Sequence, residues 1–183
     1  MKELELSKKG KNKGKYFALV DDDVYDEVNK YNWHYSYTRD KNDGYARNTK
    51  MNIYLHVYIW KLKNGDIPKG LEIEHKDENK LNCQLSNLRL ASSSENHCNI
   101  TKRKNNTSGV KGISKHAYKK FLKNGTEKEY TYWRARVTKD HKDYTKKFSF
   151  TDEGFEQAKE WIKNMSLEIQ GEYSIYNKPD ENK

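Results

Sequence analysis

Four residues between Leu71 and Asn99 stand at intervals that suit one reaction centre. Glu74 and His75 are adjacent, Asn87 follows the histidine by 12 residues, and Asn96 follows Asn87 by 9. One carboxylate, one imidazole and two carboxamides match the needs of phosphodiester hydrolysis. An anionic diester repels hydroxide, and its alkoxide departs poorly. Cleavage needs a base near neutrality, for which histidine is the natural side chain. It also needs positive charge on the phosphate and on the leaving oxygen, which a hard divalent cation supplies. Magnesium takes one or two protein carboxylates and fills its other positions with water and phosphate. Glu74 offers the anionic oxygen and Asn96 a neutral carbonyl oxygen. Taken singly, each of these residues is at home in an ordinary turn or on a helix surface; the joint spacing carries the reading.

The elements around them follow from local pattern. GLEIEH reads as a strand entering a loop, so Glu74 and His75 point in different directions, one toward the metal and one toward the attacking water. Asn87 is expected not to touch metal. Its amide either bridges backbone groups of the loop behind His75 or bonds the second imidazole nitrogen, and either bond fixes the ring. ASSSENHCNITKR reads as a helix whose Ser92 and Glu95 form a capping box, with Asn96 in or near its first turn.

Upstream, KYFALV is a strand and DDDVYDEVNKY a short helix with acids in its first turn. WHYSYT and GYARN flank the turn residues DKNDG as a hairpin. MNIYLHVYIWKL is strand, helix, or one passing into the other, and NGDIPKG is a loop.

After TKRKNNTSG, a basic linker, the pattern changes. In YTYWRARVT, Thr131, Trp133, Ala135 and Val137 face one side of a strand, and Tyr130, Tyr132, Arg134 and Arg136 the other. GVKGIS and DYTKKFSF are its neighbours, with FLKNGTEKE as a hairpin loop. TDEGFEQAKEWIKNMSLEIQ is a helix capped by Thr151, with Phe155, Ala158, Ile162, Met165 and Ile169 as its apolar stripe. A three-stranded sheet backed by one helix follows, with Trp133 packed in its core. The domains are therefore 1–104, with the motif at 71–100, and 105–183.

Charge points to the partner. The 183-residue chain carries a net charge of +9. Between Thr101 and Phe148 stand 15 Lys and Arg against 4 Asp and Glu. A concentrated basic segment with interleaved tyrosines suits a polyanion, most simply nucleic acid. With 33% apolar and 34% charged residues, a large core is excluded, while the 14 tyrosines argue against disorder. No run of apolar residues is long enough to span a membrane, and the first residues have no apolar segment of a secretory signal. Cys83 and Cys98 form neither a C-x-x-C nor a familiar zinc spacing, so a reduced, cytoplasmic setting is expected.

The stretch IEH, then NKL at Asn79–Leu81, then NLRLA at Asn87–Ala91, then the short helix, resembles the HNH endonucleases, in particular the homing enzymes of phages and bacteria. LHVYIW resembles the family's L-H-R-(L/I) segment, with Val57 where Arg is common. The resemblance implies a ββα-metal fold, His75 as general base and Asn87 as loop stabiliser. It implies one magnesium or manganese ion on Glu74 and Asn96. Two positions depart from the pattern. Glu74 stands where Asp is usual, and Asn96 stands where the motif's last His would be, a change also found in the homing branch. Ile100 excludes a further ligand four residues on. From about Ser108 to Met165, TSGVKGIS, YWRARVTKD and KKFSFTDEGFEQAKEWI resemble the plant ethylene-response-factor DNA-binding domain, whose sheet lies in the major groove. That likeness implies DNA contacts from the strand face.

The expected molecule is thus α+β, an HNH module followed by a sheet domain, acting on double-stranded DNA as a metal-dependent endonuclease of the cytoplasm of a bacterial or phage-infected cell. Catalysis is assigned to His75 and Asn87, and metal to Glu74 and Asn96. DNA contact is assigned to Arg103, Lys111, Tyr132, Arg134, Arg136 and Lys146. No membrane and no obligate protein partner is indicated. The alternatives are a DNA-binding protein with a decayed nuclease module and an RNA-binding protein.

Overall fold

Leu4 and Leu6 alternate with charged neighbours in KELEL, a short period-2 pattern that buries one side of a strand. A computed structural model describes residues 1–38, 43–99 and 105–177, and in it this pattern forms β1 (Lys2–Leu6), a strand the sequence reading lacked. It pairs antiparallel with β2 (Tyr16–Val20), in register from Lys2 opposite Val20 to Leu6 opposite Tyr16. The chain divides into two compact units, Met1–Ser93 and Ser94–Lys183.

The first unit is built around the inner side of that hairpin. Leu4, Leu6, Ala18 and Val20 are buried with Val24 and Val28 of helix α1 (Asp22–Val28). Each such leucine or valine side chain contributes about 1.5–3 kcal/mol on leaving water. Trp33 completes the cluster, and its indole nitrogen donates to the carbonyl of Val28 at 2.8 Å. Strands β3 (His34–Tyr37) and β4 (Gly44–Asn48) form the expected hairpin, and β5 (Ile53–Tyr54) adds to its edge. The turn residues Arg39–Asn42 lie outside the described residues. From β5 the backbone runs straight into α2 (Leu55–Asn64), so MNIYLHVYIWKL is strand passing into helix. Leu55, His56 and Ile59 are its buried residues. Last come β6 (Leu71–His75) and β7 (Leu88–Ser92), an antiparallel pair joined by a long loop.

The second unit opens with α3 (Ser93–Asn99), whose first residue closes the preceding unit. It continues with β8 (Ile113–Phe121), β9 (Glu127–Lys139) and β10 (Lys142–Ser149), ordered β10-β9-β8 and all antiparallel. Helix α4 (Asp152–Gln170) covers one side. Its cap is as read: the amide of Gly154 donates to Thr151 Oγ1 at 3.0 Å. Ile113, Ala135 and Val137 bury against Ala158 and Ile162, with Trp133, Phe155, Met165 and Ile169 packed around them. The loop assignment needs correction. FLKNGTEKE is not all loop, because β8 runs through Phe121 and β9 begins at Glu127. The reversal closes when Leu122 N–H donates to the Thr126 carbonyl at 2.8 Å. Lysine and glutamate are weak strand formers, but cross-strand pairing overrides that preference. Among the described residues, no helix is long and apolar enough to cross a membrane.

Gly112 marks a close approach that also needs a left-handed backbone. Its φ is +81°, and a Cβ there would lie 2.5 Å from the carbonyl oxygen of Arg136 and 2.8 Å from Ile162 Cδ1. Gly125 has a similar φ of +79° with open space around it. Gly112→Ala therefore destabilises the chain by about 2–4 kcal/mol, strain and overpacking together. Gly125→Ala costs only about 1–2 kcal/mol. Urea denaturation of both variants checks this, and equal losses would contradict the packing account.

Candidate active site and nucleic-acid interface

Antiparallel pairing of β6 and β7 sets Glu74 opposite Arg89 and His75 opposite Leu88. Arg89 Nε donates to Glu74 Oε2 at 2.8 Å, and only 13% and 3% of the two side chains stay exposed, so this ion pair is almost wholly out of water. The other oxygen, Glu74 Oε1, is buried and has no hydrogen-bond donor among the described residues. A buried anionic oxygen left uncompensated is costly. It suits a hard cation, which takes oxygen ligands. The site thus fits a divalent ion on Oε1 while the guanidinium holds Oε2.

His75 ends β6 and is buried. Burial lowers its pKa to about 4; Asp77 and Asp43 oppose the shift and Lys80 adds to it. At neutral pH the ring is therefore uncharged, the form that accepts a proton.

The loop beyond His75 is held by Asn87. Asn87 Oδ1 accepts the Asp77 amide at 3.1 Å. Asn87 Nδ2 donates to Asp77 Oδ1 at 2.9 Å and to the Asn82 carbonyl at 2.8 Å. Of the two bonds open to Asn87 from the sequence, the structure shows the bridge across the loop. Asp77 in turn accepts from the Asn79 amide and from Asn82 Nδ2. The far end of the loop is tied to the N-terminal hairpin: Leu19 and Leu81 are joined at 2.8 Å, and Cys83 N–H donates to the Leu19 carbonyl at 2.9 Å. Asp21 accepts the Leu85 amide at 2.8 Å. Cys83 is buried, and burial pushes its thiol up. It packs as a small apolar group.

Further side chains gather around His75. His56 lies edge-on to His75, with ring centroids 4.7 Å apart, and stacks on Tyr54 at 5.7 Å. Its Nδ1 is buried with no hydrogen-bond partner among the described residues, and burial lowers its pKa to about 3. Tyr45 flanks both histidines. Lys80 Nζ pairs with Asp43 and sits over the Tyr45 ring at 4.9 Å. Arg89 leaves a signal in the text, since an antiparallel register between IEH and LRL places it across from Glu74. His56 stands in the LHVYIW segment, where a place near the site and plain packing are both open from the sequence. Tyr45 comes from a separate hairpin and leaves none.

Asn96 belongs to the second unit, in α3, where it is half-buried. That helix is fixed within its unit. Asp140 N–H donates to Ser94 Oγ at 2.8 Å, and Lys111 Nζ donates to the Cys98 carbonyl at 2.8 Å. Lys111 thus sits at a helix C-terminus, where a cation is favoured. Among the described residues, no three His, Cys, Asp or Glu side chains cluster to hold an ion.

The face of the sheet away from α4 is aromatic and basic. Tyr132 stacks on His116 across the strands, centroids 5.8 Å apart, and Tyr130 on Tyr118 at 5.4 Å. Lys147 Nζ lies 4.7 Å from the Tyr132 ring centroid. Arg134 pairs with Lys147 and Arg136 with Thr145, on this same face. Lys146 pairs with Ala135, on the side toward α4, and its Nζ lies over Phe148. Lys147, not Lys146, shares the open face with Arg134. Arg103 lies outside the described residues.

The sequence profile of the HNH endonuclease family matches residues 53–98, the span from β5 through β7 and into α3. Protein 3.8 of Escherichia phage T7 is 36% identical over 121 residues, covering 66% of this chain and 88% of that protein. The uncharacterized HNH endonuclease L560 of Acanthamoeba polyphaga mimivirus is 32% identical over 174 residues, covering 93% of this chain and 79% of its own length. No solved structure matches the chain.

The two buried histidines set a pH dependence. Both have folded pKa values below the ordinary 6.5, at about 3 for His56 and about 4 for His75. Between those values and 6.5 the unfolded chain binds more protons than the folded one, so stability falls as pH falls. The loss is up to about 1.4 kcal/mol per pH unit for each histidine. Urea midpoints taken with a chelator present should drop from pH 7 to pH 4.5. His56→Phe should show a shallower drop over the same range; an unchanged slope would contradict its burial as the neutral ring.

Proposed function

The chain belongs to the HNH endonuclease family, and from that premise we propose that it is a site-directed, homing-type DNA endonuclease that uses one divalent ion. The observation that carries this reading is the pairing on β6 of an unbonded buried carboxylate oxygen, Glu74 Oε1, with an adjacent uncharged imidazole. Glu74 and Asn96 would hold magnesium or manganese. When bound, the ion supplies charge relief to the phosphate and to the departing 3′ oxygen.

The other steps fall to the chain's own groups. His75 accepts a proton from water as the water oxygen attacks phosphorus in line. The bond from phosphorus to the 3′ oxygen breaks, and a proton restores the 3′ hydroxyl. The products are a 5′ phosphate and a 3′ hydroxyl. Asn87 keeps the loop beyond His75 rigid, so the ring stays aimed. Arg89 holds Glu74 through Oε2, leaving Oε1 for the ion. We place the functional boundary after residue 104, with the basic sheet as the duplex-gripping part, in the manner of an ethylene-response-factor domain. Tyr132, Arg134 and Arg136 face the DNA there. Arginine pairs two hydrogen bonds with guanine, and strands fit the major groove. Arg103, Lys111 and Lys146 are proposed as further contacts. The setting proposed is the cytoplasm of a bacterial or phage-infected cell.

A second reading, a DNA-binding protein whose nuclease has decayed, is favoured by the Arg89–Glu74 pair, because a guanidinium on the carboxylate also neutralises it without a metal. The two part on plasmid nicking. With magnesium the chain is expected to nick supercoiled DNA, and a chelator to stop it. His75→Ala should lose about 10²–10⁴-fold in rate. Glu74→Gln should lose manganese binding measured by calorimetry. Binding of DNA without nicking under any divalent ion would support the decayed module instead.

A further inference from the structure

The β8–β9 hairpin is longer than its core requires. Strand β10 pairs with β9 only from Tyr132 onward. Beyond it, Ala117–Phe121 and 127–131 pair only with each other. This two-stranded arm extends about 17 Å at the usual rise per residue. None of its residues belongs to the core cluster of the unit. A bare two-stranded ribbon is marginal in water, so its length calls for a reason outside the core.

Two features of the arm are costly in the free protein. Lys120 lies directly across from Lys128 on the face away from α4, and like charges placed opposite each other destabilise a strand pair. Lys119 and Glu127 form an ion pair at 3.2 Å on the other face, so the acids do not relieve it. At the tip, Phe121 keeps 74% of its surface exposed. The reversal that follows it carries Lys123. Phosphates relieve the lysine pair, and a base stack accepts the phenyl ring. Proteins that bend DNA push apolar side chains of this kind between base steps, kinking the duplex.

We propose that the β8–β9 arm enters a groove of duplex DNA, with Lys120 and Lys128 on phosphates and Phe121 wedged into a base step, so that the bound duplex is bent. This rests on the DNA-binding reading above and adds to it a bend, made at a place apart from Arg134 and Arg136.

The test is energy transfer across a duplex of about 20 base pairs, mixed in sequence and labelled at both ends, with a chelator to prevent cleavage. Saturating full-length chain should raise transfer, as a kink of roughly 20–90° would. Phe121→Ala should still bind, about 3- to 10-fold more weakly, and lose the rise. Phe121→Leu, which keeps an apolar wedge, should retain it. Paired substitution of Arg134 and Arg136 by Ala should weaken binding yet keep the rise at saturation. Binding without a rise, or an equal rise with Phe121→Ala, overturns the wedge and leaves the DNA reading standing. Absence of salt-dependent binding by the unaltered chain overturns both.

Discussion

The register of β6 against β7 is the constraint on which the site depends. It puts Arg89 across from Glu74 and leaves His75 at the strand's end, where the loop begins. A slip by one residue would turn every side chain to the opposite face. Glu74 would lose its guanidinium, and a buried carboxylate without a partner costs about 3–5 kcal/mol. The ion pair therefore locks the register that creates it. It also divides the carboxylate, with one oxygen held by Arg89 and the other without a donor among the described residues.

The remainder of the first unit serves that hairpin. Asn87 spends its amide on the loop beyond His75, and Asp77 gathers that loop from inside. The N-terminal hairpin clasps the same loop from outside through Leu19 and Asp21. Burial beside Tyr45 and His56 sets the electrostatics of the site. It removes water from His75, and removal of water disfavours the imidazolium. These neighbouring rings are thus the medium that sets the state of the proposed base.

Much of this was legible in the sequence, for identifiable reasons. Helix α4 announced itself by its cap at Thr151 and its stripe from Phe155 to Ile169, because both signals are local. The inner and outer faces of β9 followed from strict alternation. β1 was not read, since its two leucines are too few to stand out in a lysine-rich beginning. FLKNGTEKE, the outer part of the arm, reads as a loop in the sequence because Gly125 and the charged residues around it look like a turn. Its strands are held by each other rather than by their own preferences. At the site, Glu74, His75 and Asn87 were visible from spacing. The approach of His56 to His75 depends on how α2 packs against β6, which no linear interval records. That Lys147 shares the open face with Arg134 follows from the β9–β10 pairing, which strand alternation within one segment does not give.

The proposal that Glu74 serves two cations at once is decided by a manganese-soaked crystal. Anomalous scattering should place one ion about 2.1 Å from Glu74 Oε1, with Arg89 still bonded to Oε2. An ion bound elsewhere, or none bound while Arg89 alone clasps the carboxylate, would contradict it.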